Sequence, residues 1–307
     1  MNSFLRPLST LLPVSVLATA LVSPVLALDP LAVGPADSEF VARVSVNQLL
    51  QQPLVNQLID MNDRPSIETG AKFLQHLTDV NVFTDLYEAW LFARIEDERN
   101  VVLLVRGKYN QTKLVELLKI NPSYKLSTTD TVPVHYWDDP EEGPRWAAFV
   151  EDYVVITGAE ALMTQVITRR NLTTGGFKET PTAAKLTPEL NKLDFWCVIQ
   201  SDRKNEIEFG AMSAALDLRY ALLTAHQTDA GLNLGLTAVP RNPASTAEYR
   251  TMVEGSLAFS RLYGKEMEPA RLYADRLTID EYPDHLNLSA TFTNAEVLEA
   301  IRIGREL

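Results

Sequence analysis

Two stretches decide the predicted fold: SEFVARVSVNQLLQQPLVNQL, residues 38–58, and LDFWCVIQSDRKNEIEFGAM, residues 193–212. Each opens with a short run rich in Val, Phe, Ile and Trp and then turns polar. Such a run, bounded by polar residues, is typical of a β-strand. The two openings raise the hypothesis that the chain contains two copies of one module.

The segments that follow each opening support that hypothesis, because their order is the same. In the first half the pattern predicts a strand at 39–46, helical material at 47–77, a hairpin turning at 97–100, a helix at 111–119, an extended stretch at 124–137 before the acidic loop, strands around a turn at 151–152, and a helix at 159–168. In the second half it predicts a strand at 195–200, a connection at 204–210 that stands where the first half has its helical material, a hairpin turning at 228–231, a helix at 244–263, a hairpin turning at 283–284, and a last helix from the cap Asn294 to Arg305. Both halves therefore follow the order strand, helix, hairpin, helix, hairpin, helix.

This order predicts an α+β protein of two tandem related modules. Each module is expected to be an antiparallel sheet with helices on one face, of the split βαβ or ferredoxin-like type. The predicted boundaries are a signal peptide at 1–27, a first module at 28–170, a linker at 171–192 and a second module at 193–307. The linker is indicated by Gly175-Gly176 and two prolines.

The N-terminal segment has the features of an export signal. Arg6 supplies a positive charge, an apolar run follows, and Val25-Leu26-Ala27 offers small residues for cleavage after Ala27. The run is shorter than the roughly 20 residues that cross a bilayer, so no stable membrane insertion is expected. The predicted location is the periplasm or the cell exterior.

The charge balance narrows the classes of partner. The chain carries a formal net charge of −12, and removal of residues 1–27, which contain one base and no acid, leaves 27 Lys and Arg against 40 Asp and Glu, or −13. Such an acidic chain repels nucleic acid and anionic lipid surfaces. Cys197 is the single cysteine, so no intramolecular disulfide can form.

The signal segment, the opening VARVSVNQLLQQPLVNQL, and the stretch GGFKETPTAAKLTPELNKLDFWCVIQS before the second strand carry a resemblance over most of the mature chain. Together they resemble a group of uncharacterised secreted bacterial proteins built from tandem α+β, ferredoxin-like modules. The resemblance implies this fold and export. It implies no established activity, substrate or site.

No motif for catalysis, cofactor binding or metal binding emerges from the sequence. The four histidines, His76, His135, His226 and His285, are scattered without metal-ligand spacing. Ser201 and Lys204 match S-x-x-K, but its companion motifs are absent. We therefore assign no catalytic, cofactor-binding or metal-binding residue and expect no cofactor.

The acidic stretch from Asp138 to Glu142 has the oxygen ligands that Ca²⁺ prefers, yet its spacing matches no calcium loop. Pro140 and Gly143-Pro144 favour a solvated turn between two strands. The sequence leaves open whether this loop binds a cation. With the module interface near Gly175-Gly176, it is where we would look first for a ligand surface.

These observations favour an exported, non-catalytic binding or scaffolding protein, with an unknown protein, peptide or glycan ligand outside the cytoplasm. Aromatic residues on predicted strands are expected to fill the core, and a few could line a ligand-binding sheet face. Two alternatives stay open: a self-assembling envelope component, and a hydrolase-type enzyme with a site at the module interface. The ligand and the oligomeric state do not follow from the sequence.

Overall fold

A computed structural model describes residues 28–62, 64–95, 97–141, 143–186, 188–200, 217–263 and 274–306. Its strands are β1 (Phe40–Val44), β2 (Leu86–Arg94), β3 (Asp97–Gly107), β4 (Lys125–Thr129), β5 (Val132–Asp139), β6 (Gly143–Val150), β7 (Tyr153–Thr157), β8 (Phe195–Gln200), β9 (Leu218–Thr228), β10 (Gly231–Pro240), β11 (Thr278–Glu281) and β12 (Leu286–Phe292). Its α-helices are α1 (Pro30–Val33), α2 (Val46–Gln51), α3 (Pro53–Met61), α4 (Arg64–Thr78), α5 (Gln111–Leu118), α6 (Glu160–Arg169), α7 (Thr246–Tyr263) and α8 (Asn294–Glu306). Among these described helices, none combines the length and the apolar content that crossing a bilayer requires.

The strands form one sheet of 12, in the order β11-β12-β10-β9-β8-β1-β2-β3-β7-β6-β5-β4. The strands in the quoted sequences, β1 and β8, are neighbours near its centre. They pair antiparallel, with Ala42 opposite Cys197. A mixed α+β fold with a large antiparallel sheet is therefore confirmed, and the sheet runs without a break from the first half of the chain into the second.

The ferredoxin-like layout is not confirmed. In a split βαβ unit, the two strands joined through a helix are parallel and a third strand lies between them. Strands β10 and β11, joined through α7, have this relation because β12 pairs antiparallel with both. Strands β1 and β2, joined through α2 to α4, are instead direct antiparallel neighbours.

The main core lies on one face of the sheet's centre. Trp90 and Phe92 from β2 and Trp196 from β8 are almost completely buried there. The Trp90 and Trp196 rings meet edge to face, with centroids 5.5 Å apart. Helix α6 covers this face with its apolar side, Met163, Val166 and Ile167. Period-two alternation in the strands and helical spacing in α6 thus direct their apolar side chains to one volume.

Helices also pack on the opposite face, contrary to the prediction of a single helical face. There Tyr249 and Met252 of α7 pack with Ala221 of β9 and Ala238 of β10. Near the other end, Leu114 of α5 lines an apolar cavity with Val105 and Val154. The cause is the sequence of the strands, since several carry apolar residues on both faces and each face needs cover.

The segment between the halves packs into the core. It forms three short 3₁₀ stretches, Gly176–Glu179, Ala183–Lys185 and Pro188–Lys192. Phe177 is completely buried, and its ring lies 6.2 Å from that of Phe92. Part of the predicted linker at 171–192 is therefore anchored in the core, because Phe177 occupies an apolar site under the sheet.

Several predicted boundaries were wrong. Asp97–Asn100, predicted as a turn, belong to β3. The pairing of β3 with β2 shifts register between Ala93 and Arg94 of β2. The predicted single strand before the acidic loop is divided by a turn at Asp130-Thr131, where both residues have positive φ. The predicted connection at 204–210 lies outside the described residues.

The cap of the last helix was also misplaced by one residue. Thr293 Oγ1 accepts from the Glu296 amide at 3.2 Å, and Glu296 Oε2 accepts from the Thr293 amide at 2.8 Å. These two bonds are a capping box, which needs Glu three residues after the cap. Asn294, the predicted cap, instead accepts at Oδ1 from Gln227 Nε2 at 3.0 Å.

Candidate functional site

A cleft forms where the hairpin of β5 and β6 extends past its neighbour β7. Strand β7 ends at Thr157, which lies opposite Trp146, whereas β6 begins at Gly143. At the hairpin tip, β6 therefore pairs with β5 but not with β7. The cleft beside it has a volume of about 310 Å³ and is lined by Leu91, Val101, Leu103, Trp137, Asp139, Arg145, Ile156, Thr157 and Gly158.

The strand registers explain why these side chains meet. Leu103 lies opposite Ile156, and Ile156 lies opposite Ala147, so all three share one face. Because residues two apart on a strand point to the same side, Arg145 joins Ala147 on this face. Trp137 is the cross-strand partner of Arg145 and points the same way. The cleft is therefore built from five strands, β2, β3, β5, β6 and β7.

The cleft combines an apolar floor with a polar rim. Leu91, Leu103 and Ile156 supply the floor, and the Trp137 ring supplies one wall. At the rim, Arg145 Nη1 donates to the Pro144 carbonyl at 3.2 Å, and Asp139 Oδ1 accepts from the Glu141 amide at 2.9 Å. Few polar groups around an apolar surface are typical of a small-ligand site.

The predicted acidic loop is divided between the two faces of the hairpin. Asp138 and Asp139 both lie on β5, so their side chains alternate and only Asp139 lines the cleft. The Asp138 amide donates to Ser123 Oγ at 2.7 Å, which ties the strand to the turn after α5. Glu142 lies outside the described residues. Within those residues, no three His, Cys, Asp or Glu side chains cluster as a metal site would require.

A histidine–aspartate pair is a polar arrangement that the sequence did not reveal. Asp194 precedes β8, and its side chain is 4% exposed. Its Oδ2 lies 3.0 Å from His226 Nδ1 and accepts from the Gln227 amide at 2.7 Å. His226 belongs to β9 and faces Asp194 across the strands. Only the β8–β9 register could have signalled this contact.

The surroundings of this pair indicate a structural role. Gln52 Nε2 donates to Asp194 Oδ1 at 3.2 Å, and Gln227 Oε1 accepts from the Leu54 amide at 3.3 Å. These bonds attach α3 to the sheet. A buried carboxylate that fixes an imidazole is also how general bases are oriented. In the described part of the chain, no hydroxyl or thiol is hydrogen-bonded to His226.

The remaining histidines do not converge on a site. His135 is buried, its Nδ1 lies 3.0 Å from the Tyr124 hydroxyl, and burial, helped by the charge of Lys119, lowers its pKa. His285 lies beside Asp284 at 2.7 Å and stacks on Tyr282. His76 lies on α4, far along the chain from both. Each therefore has a separate environment.

Three further features that the sequence analysis considered either have a structural role or lie outside the described residues. Ser201 and Lys204, between β8 and β9, lie outside the described residues. Gly176 packs against the α1 backbone, where an added Cβ would come within 2.3 Å of the Ala32 carbonyl oxygen. Cys197 is buried, and burial raises the pKa of its thiol.

Comparison with known proteins gives only distant likenesses. No family model matches the chain, and no curated protein matches its sequence. The structure is similar to crystal form I of TP0453, with 11% sequence identity, a TM-score of 0.49, and coverage of 90% of this chain and 97% of that chain. Crystal form III of TP0453 gives 12% identity, a TM-score of 0.49, and coverage of 90% and 98%.

Proposed function

We propose that this chain is an exported, non-catalytic binding protein whose ligand occupies the cleft beside the β5–β6 hairpin. The observation that carries the proposal is the apolar floor of Leu91, Leu103 and Ile156, which strand alternation exposes on a sheet face. Soluble proteins seldom leave contiguous apolar surface in a concave site without a use for it. We propose export on the basis of the signal segment at residues 1–27.

The composition of the cleft favours a peptide ligand. An aliphatic floor suits a leucine- or phenylalanine-sized side chain, since burying one contributes about 1.5–3 kcal/mol. Arg145 and Asp139 at the rim are suited to the carbonyl and amide groups of a backbone. Glycans are the second choice, because Trp137 is the one aromatic residue that lines this cleft.

The two-module organisation is part of the same proposal. It is supported by the pairing order, because β1-β2-β3-β7-β6 in the first half corresponds to β8-β9-β10-β12-β11 in the second. The ladder between β1 and β8 adds support. Phe40 pairs with Ile199, and Val44 pairs with Phe195. Phe195 and Ile199 lie 155 positions after Phe40 and Val44, so residues 155 positions apart occupy equivalent places in the two strands.

A titration of intrinsic fluorescence tests the proposal. The protein is titrated with tetrapeptides that differ at one position, Leu, Phe or Ser, and with an N-acetylglucosamine tetramer. We expect the Leu and Phe peptides to change the tryptophan emission saturably and the Ser peptide to bind more than tenfold more weakly. Thermal denaturation in parallel is expected to show a higher melting temperature with the bound peptide.

Matched tryptophan variants locate the site. Trp137→Phe is expected to remove most of the fluorescence change, whereas Trp146→Phe keeps it, because Trp146 lies on the opposite face of the same hairpin. Binding of the glycan alone would change the proposed ligand class. Binding of neither, with particle mass that grows with concentration, would replace the binding proposal with self-assembly.

A further inference from the structure

The backbone nitrogen of Leu28 meets a carboxylate at the far end of the first half. It donates to Glu151 Oε2 at 2.8 Å, across 123 positions of sequence. Glu151 lies in the tight turn between β6 and β7, with a φ of 55°. Its carboxylate has no cationic side chain as partner among the described residues, whereas its neighbour Asp152 pairs with Arg106 at 2.6 Å.

The residues after Leu28 are firmly attached to the fold. The Leu28 side chain is 4% exposed and belongs to the main core with Val150 and Tyr153. Asp29 caps α1 by accepting from the Leu31 amide at 3.1 Å and also binds Lys178 Nζ at 2.6 Å. Six residues after Leu28, the Gly34 carbonyl accepts from the Phe177 amide at 2.9 Å. The position of the Leu28 nitrogen is therefore set by the burial of its own side chain and by the attachment of the residues that follow it.

The sequence predicts cleavage between Ala27 and Leu28. Hydrolysis breaks that peptide bond: water supplies hydroxyl to the Ala27 carbonyl carbon and hydrogen to the Leu28 nitrogen, which then takes up a proton. A neutral amide with one N–H becomes an ammonium with three, because an α-amino group has a pKa near 8. A charged donor at 2.8 Å from a carboxylate makes a stronger hydrogen bond than an amide does.

We propose that export processing after Ala27 creates an α-ammonium group at Leu28 that binds the Glu151 carboxylate and locks the mature N-terminus onto the β6–β7 turn. The group that processing creates is the Leu28 α-ammonium, and its partner is the Glu151 carboxylate. The precursor makes only the weaker amide contact. Processing therefore strengthens the attachment of α1 to the core.

The first test is the intact mass of the exported full chain, which is expected to correspond to a protein that begins at Leu28. The second compares two forms of the protein, one beginning at Leu28 and one with Gly-Ser placed before it. In the Leu28 form, Glu151→Gln is expected to lower the melting temperature by several degrees. In the extended form, where Leu28 carries an amide, the same variant is expected to have less than half that effect.

Asp152→Asn is the matched control, because Asp152 occupies the same turn and pairs with Arg106 instead. Its effect is expected to be equal in both forms. A mature protein that begins at another residue would overturn the proposal. So would an equal loss from Glu151→Gln in the two forms, which would make the contact an ordinary amide hydrogen bond.

Discussion

Arg43 and Glu88 form an ion pair under the centre of the sheet, with Arg43 Nε and Nη2 each 3.1 Å from Glu88 Oε2. Their side chains are only 9% and 14% exposed. Glu88 Oε1 accepts from the Tyr153 hydroxyl at 2.7 Å, and burial together with Glu88 raises the pKa of that phenol. Arg43 Nη1 also donates to the Leu193 carbonyl at 3.3 Å, so the pair links β1, β2 and β7 to the entry of β8.

Removal of the Glu88 charge is expected to destabilise the protein strongly. Glu88→Gln leaves Arg43 largely buried without its nearest anion, which costs about 3–5 kcal/mol of unfolding free energy. Urea unfolding followed by circular dichroism measures the loss. Asp37→Asn is the control, because its partner Arg94 lies 3.4 Å away in an exposed pair that contributes less than about 1 kcal/mol. Equal losses in the two variants would contradict this account.

Truncation of Phe177 tests whether the segment between the halves belongs to the core. Phe177→Ala empties a completely buried site and is expected to cost about 3–5 kcal/mol. Leu172→Ala, in the same segment but 47% exposed, is expected to cost less than about 1 kcal/mol. The urea midpoints of both variants provide the measurement. A passive linker would tolerate both changes equally.

The two adjacent glycines of this segment are expected to respond differently to alanine. Both have positive φ, 94° at Gly175 and 59° at Gly176, so either substitution costs about 1–3 kcal/mol of backbone strain. Only at Gly176 would the new Cβ also meet backbone oxygens, Ala32 at 2.3 Å and Gly34 at 2.5 Å. Gly176→Ala should therefore lower the melting temperature further than Gly175→Ala. The opposite order would show that α1 can move to make room.

His135 predicts how stability depends on acidity. Its pKa is lowered in the folded protein, mainly by burial, from an ordinary value of 6.5. The unfolded chain then binds more protons than the folded chain, so stability is full above about pH 6.5 and falls as the pH drops below it. Melting temperatures between pH 5 and pH 8 should show this slope, and His135→Asn should flatten it. Tyr124→Phe, which keeps the imidazole, should retain the slope; an identical profile in His135→Asn would refute the assignment.

The Cys197 thiol is expected to be unreactive in the folded protein. It is 6% exposed, and burial raises its pKa, so little nucleophilic thiolate is present at neutral pH. Ellman's reagent should label it at least about tenfold more slowly in buffer than in guanidinium chloride. Fast labelling in buffer would mean that β8 opens readily from β1.

Local features of the fold were predictable because they depend on neighbouring residues. Alternation of apolar and polar residues indicated β1, β8 and the hairpin of β9 and β10, and helical spacing indicated α5, α6 and α7. Errors occurred where polar residues such as Asp97 continue a strand or where Asp130-Thr131 interrupts one. In those places sheet pairing overrides the local turn preference.

The sequence by itself determined the α+β class, the order of the elements and the acidic surface charge, because periodicity and composition are properties of short segments. Only the tertiary structure decided that β1 and β8 join the halves into one sheet, that Phe177 lies in the core, and that Trp137 and Leu103 line one cleft. The physical reason is that alternation specifies which face a side chain takes but not which strand becomes its neighbour. That choice depends on the burial and hydrogen bonding of the whole chain.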